Sequence, residues 1–111
     1  MQLARVVYAL TRNFPKDEMF GLTSQLRRAA VSVPSNIAEG HGRLTDNGFA
    51  VFLGQARGSL FEVETQIELA QSLGYITSAD AKQPLADCDE VAKMLNGLLK
   101  TLKEKETKSV H

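Results

Sequence analysis

With 111 residues the chain is long enough for one packed core and too short for two. Apolar residues make up 43% and charged residues 23%, an ordinary balance that excludes a disordered chain. Thirteen basic residues offset thirteen acidic ones, which argues against a strongly basic, nonspecific nucleic-acid binder and leaves room only for a local basic patch.

Cys88 is the single cysteine, so an internal disulfide and a thiolate-built zinc site are both excluded, and it reads as a small buried apolar residue. No run approaches the roughly 18 uninterrupted apolar residues of a membrane span. The start, Met1 to Val7, lacks the cleavage pattern of a signal peptide. These features predict a cytoplasmic protein with no membrane partner.

Apolar residues recur at helical spacing almost throughout, and no segment alternates with a period of two. The prediction is an all-α domain over 1–111, an up-down-up-down antiparallel four-helix bundle with helices at 1–13, 22–40, 46–73 and 78–104. Leu3, Val6, Val7 and Leu10 form one face of the first helix, which Pro15 ends. Nothing precedes that helix to cap it, so the sequence reads as lacking the helix's beginning.

Residues 14–21 form a linker in which Phe14 and Phe20 are expected to anchor. The second helix buries Leu22, Leu26, Ala29, Ala30, Val33 and Ile37, and it carries Pro34, which predicts a kink. Ser35 or Asn36 is positioned to bond carbonyls that the proline leaves unpaired. Gly40 and Gly42 mark its end.

Thr45 or Asp46 caps the third helix, whose core stripe runs from Phe49 through Leu53, Leu60 and Ile67 to Ala70, stopping at Gly74. Thr77 or Ser78 caps the fourth. Its apolar face, from Ala81 through Cys88, Leu95 and Leu99 to Leu102, is wider than one core requires, and the Lys-rich tail from Lys103 is expected to fray.

Catalytic chemistry finds no constellation. His41 sits at a glycine-rich helix end, His111 lies in the tail, and no Glu-x-x-His pair faces a core. Gly40-His41-Gly42 lacks the lysine and the preceding strand of a phosphate loop. The prediction is no enzyme, no metal, no cofactor and no small-molecule substrate.

The arginines say more. All six lie at or before Arg57, whereas every lysine except Lys16 lies at or after Lys82. Arg28, Ser32, Glu39 and Arg43 share one flank of the second helix, and Arg57, Phe61, Glu64 and Glu68 share one of the third. Ordinary Arg–Glu pairs at the bundle's edge account for most of these. The sharper reading is an arginine patch that grips phosphate or a carboxylate bidentately.

Gly54 and Gly58, four apart on the outer face, and Phe61, beside the core stripe, form a candidate oligomer interface. Each glycine costs roughly 1 kcal/mol in a soluble helix, so a close approach by another backbone is a natural compensation. Periodicity alone allows a dimer as readily as a larger assembly.

Three stretches carry a resemblance: Leu-Thr-Arg-Asn-Phe-Pro from Leu10, the run from Phe20 through Leu-Arg-Arg-Ala-Ala-Val-Ser-Val-Pro-Ser-Asn-Ile-Ala-Glu-Gly to Gly40, and Phe-Leu-Gly-Gln-Ala-Arg-Gly-Ser-Leu-Phe from Phe52. The chain closely resembles the bacterial four-helix-bundle family encoded in intervening sequences of 23S ribosomal RNA genes, from about residue 6 to residue 76. The fourth helix matches only in character.

The resemblance implies a ring-like homopentamer without enzymatic activity. A related branch, the accessory proteins of diversity-generating retroelements, binds a reverse transcriptase and nucleic acid. The family's basic positions fall on Arg27, Arg28, Arg43 and Arg57, which implies RNA or a nucleic-acid-processing protein as partner. The chain departs from the family in a shorter start and in its neutral charge, unlike the basic retroelement branch. The alternative is a protein-interaction scaffold with no nucleic-acid role.

Overall fold

The computed structural model describes residues 2–109, with side chains to residue 106. Four α-helices follow in order, α1 (Gln2–Thr11), α2 (Leu22–His41), α3 (Asp46–Ser72) and α4 (Ser78–Ser109), with one 3-10 turn at Lys16–Glu18. Each helix packs on its neighbours in sequence, α1 also closes on α4, and the backbones of neither diagonal pair come close. The chain is therefore an all-α, up-down-up-down antiparallel four-helix bundle with its helices at the corners of a square.

The core is the inner stripe of each helix. Leu3 and Val7 of α1, Leu26 and Val33 of α2, Leu53, Leu60 and Ile67 of α3, and Cys88 and Leu95 of α4 are all fully buried. Removing a side chain of this size from water contributes about 2 kcal/mol. Ile37 and Phe49, expected in the core, pack against it only partly buried. Burial pushes the Cys88 thiol up to about 12.

Helix ends are settled by side chains and one glycine. Thr45 Oγ1 accepts from the Gly48 amide at 3.0 Å and starts α3. At α4, Thr77 Oγ1 accepts from the Asp80 amide and Asp80 Oδ2 accepts from the Thr77 amide, at 3.0 and 3.2 Å, a reciprocal capping box. α3 stops because Gly74 takes φ +79°, which lets the Tyr75 amide reach back to the Ala70 carbonyl at 2.9 Å.

Three expectations change. Phe20 does not anchor the linker; it is 94% exposed, while Phe14 is buried and meets the Tyr75 ring at 5.6 Å. The linker is held instead by Glu18, whose Oε2 accepts from the Tyr75 hydroxyl at 2.7 Å and whose Oε1 accepts from the Leu22 amide at 3.3 Å. Asn36 does not serve the carbonyl freed by Pro34, that of Ala30; its amide bonds the Ser32 carbonyl at 2.8 Å and Ser32 Oγ at 2.9 Å. The helix α4 runs to Ser109, past the end expected at 104, and Val110 and His111 lie outside the described residues.

Helix lengths are unequal. α1 has 10 residues and α4 has 32, about 15 Å against about 48 Å of rod. Beyond the reach of α1 the bundle continues as three helices, and there Met94 is 45% exposed and Leu98 half-buried.

Candidate interaction surfaces

Arg27 and Arg28 are adjacent in sequence, but successive helical side chains diverge by about 100°. Arg27 turns toward α1: its Nε donates to Thr11 Oγ1 at 2.8 Å, and its guanidinium lies 4.8 Å over the Tyr8 ring. Thr11 is held for this contact by bonding back to the Val7 carbonyl at 2.9 Å. Arg27 thus joins α2 to α1. Arg28 is exposed and has no side-chain partner among the described residues.

Arg43 lies near the far end of the molecule from both. It pairs with Glu39 at 3.2 Å and covers the Phe52 ring at 4.4 Å. The pair is solvent-exposed and i,i+4, worth under about 1 kcal/mol. Arg57 donates to Asn96 Oδ1 of α4 at 3.1 Å and lines a groove of about 820 Å³ between the start of α3 and the end of α4. Lys103, Lys105, Asp46 and Glu106 share that groove, with Ala50, Leu99 and Leu102 as its floor. The four sequence-predicted arginines therefore occupy separate surfaces and do not converge.

The other predicted set does come together. Gly54, Gly58 and Phe61 share the outer face of α3, where a Cβ added to either glycine would meet nothing within 4 Å. Phe61 is 55% exposed, and it borders a shallow hollow with Gly58, Glu62 and Thr65. Val51 and Leu69 extend the same apolar exposure along the helix. Gly40 shows the opposite case: a Cβ there would come within 2.7 Å of the Phe49 ring, so this glycine lets α2 and α3 close.

Among the described residues no three His, Cys, Asp or Glu side chains gather as a metal-ligand set, and no helix is long and apolar enough to cross a membrane. Sequence reasoning missed Asn96, the partner of Arg57, and Val31, which stands exposed on the outer face of α2. Val31 was legible in principle, because its neighbours at helical spacing, Ser35 and Ala38, are also small and uncharged.

Fold and surface together define a small helical bundle that carries exposed apolar residues on the outer face of α3, among others in its linkers and on its other helices. The chain belongs to the 23S rRNA-intervening sequence protein family, whose model matches residues 1–97. A solved structure of similar fold is a protein of unknown function from the S23 ribosomal protein family of Bacteroides thetaiotaomicron. The two are 24% identical, with 88% of each chain covered and a TM-score of 0.79. No curated protein matches the chain.

Proposed function

We propose that the chain is a non-catalytic scaffold that assembles with copies of itself and presents the assembled surface to a macromolecular partner. The observation that carries this reading is the outer face of α3, where two glycines open onto empty space beside the exposed Phe61 ring. A monomer gains nothing from either glycine and loses about 1 kcal/mol of helix propensity at each. A neighbouring backbone gains close approach. The family resemblance implies a ring of five. Light scattering on the purified protein tests it: a mass several times the 12.2 kDa of one chain supports assembly, and a monomer contradicts it.

A second reading, RNA binding, is favoured by the groove where Arg57 opens beside Lys103 and Lys105. Asp46 and Glu106 line the same groove, so each subunit contacts only a few phosphates, and log affinity should fall with log salt by only about 0.7 per phosphate contacted. Arg57→Glu should abolish RNA retention on a filter while the oligomer persists. Retention unchanged by that substitution removes this reading and leaves the scaffold.

A further inference from the structure

A pocket between α1 and the first turns of α4 has no part in either reading above. Its volume is about 400 Å³, within the span of small-ligand sites, about 300–1,000 Å³. Val6 and Leu10 of α1, with Ile76 and Pro84 at the start of α4, make its apolar walls. Asn13, Tyr75, Asp80 and Gln83 supply its polar groups, and no Lys, Arg or His among the described residues lines it. It opens between α1 and α4, away from the outer face of α3, so it does not depend on self-assembly.

Beneath Gln83, one turn further along the same face of α4, stands Asp87. Asp87 is 9% exposed. Its Oδ1 accepts from Gln83 Nε2 at 2.9 Å, and its Oδ2 is buried with no hydrogen-bond partner among the described residues. Helical side chains lean toward the helix N-terminus, so Asp87 leans toward Gln83 and the pocket. The apolar face of α1, made of Leu3, Val6, Val7 and Leu10, offers it no donor. A buried carboxylate is ordinarily matched by a cation, and this one has only a neutral amide.

Asp80 is exposed, lines the same pocket and lies seven residues before Asp87, on the same face of α4. One of its oxygens accepts from the Thr77 amide, which leaves lone pairs for further donors. Seven residues of helix rise about 10 Å. An ammonium bonded to each carboxylate at about 2.8 Å leaves roughly 5 Å between the two nitrogens, the reach of a three- or four-carbon chain. The methylenes of such a chain lie against Val6, Leu10, Ile76 and Pro84. We infer that this pocket binds a linear aliphatic diamine, doubly protonated, with one ammonium on Asp87 once Gln83 turns aside and the other on Asp80.

The test is isothermal titration calorimetry of the full chain with 1,4-diaminobutane, beside 1-aminobutane and sodium chloride at matched ionic strength. The expected result is saturable binding of the diamine, at least tenfold weaker binding of the monoamine, and no binding heat from the salt. Asp87→Asn, which keeps the side chain's shape and removes its charge, should weaken diamine binding at least tenfold. Asp89→Asn makes the same charge change at an exposed position of α4 and should leave binding unchanged. Ala9→Phe fills the pocket from its exposed α1 side and should abolish binding with both carboxylates in place, circular dichroism checking that each variant folds. Diamine heat no larger than that of the salt, or a monoamine that binds as well, overturns the assignment. So does binding that survives Asp87→Asn or Ala9→Phe unchanged.

Discussion

Ser32 and Ser59 share a 2.9 Å hydrogen bond that pins the middle of α2 to the middle of α3. Asn36 adds a second bond to Ser32 Oγ at 2.9 Å, so the hydroxyl sits in a small polar network inside an otherwise apolar seam. Ser59→Ala should cost about 1 kcal/mol in urea unfolding. The double variant Ser32→Ala, Ser59→Ala should cost less than the two single changes summed, because the hydroxyls are partners. Strict additivity would mean the bond contributes nothing.

The glycines should separate cleanly by environment. Gly40→Ala forces a methyl against the Phe49 ring and the Phe52 Cβ, so it should destabilise the chain by about 1–3 kcal/mol. Gly58→Ala meets open space within the chain. It should raise the stability of the isolated bundle by up to about 1 kcal/mol while weakening assembly. Thermal unfolding and light scattering on the same sample read the two effects apart.

Tyr75 should titrate above its ordinary value of 10.0, because its hydroxyl donates to Glu18 and the carboxylate disfavours a nearby phenolate. The folded state thus prefers the neutral ring. The stability this contact supplies is whole below the unfolded pKa and is lost as pH rises through the folded one. Ultraviolet titration should show the upper tyrosine midpoint fall in Glu18→Gln. An unchanged midpoint would mean the hydrogen bond does not persist in solution.

Cys88 offers a probe of global opening. Its thiol is buried and pushed up to about 12, chiefly by burial, with Glu64 and the flanking aspartates adding to the effect. A thiol reagent at pH 8 should leave the native protein unmodified and react fully in denaturant. Rapid modification of the native protein would place Cys88 at the surface.

Much of this architecture was readable from residue spacing. The inner stripes of α2 and α3, the Thr45 cap and the stop at Gly74 follow from the helical period, a capping hydroxyl and a left-handed glycine. The linker was misread because hydrophobicity alone cannot tell an aromatic that packs from one that does not: Phe14 finds Tyr75, while Phe20 faces solvent. The helical end of α4 was missed because its Lys and Glu residues have good intrinsic helix propensity despite an apolar pattern that runs out.

The surfaces were less legible. Helical periodicity separates Arg27 from Arg28, but nothing in the sequence says that α1 would take the first through Thr11 and Tyr8. Arg57 finds Asn96 across a sequence separation of 39, a contact that no local pattern announces. Gly54, Gly58 and Phe61 fared better, since three residues on one helix keep their shared face whatever the tertiary arrangement.

Native mass spectrometry of the wild-type chain beside Phe61→Asp tests the central claim most directly. Self-assembly through the outer face of α3 predicts a closed multimer for the wild type and a monomer, with unchanged helical circular dichroism, for the variant. A wild type that stays monomeric at micromolar concentration, or a variant that assembles as well as the wild type, contradicts it.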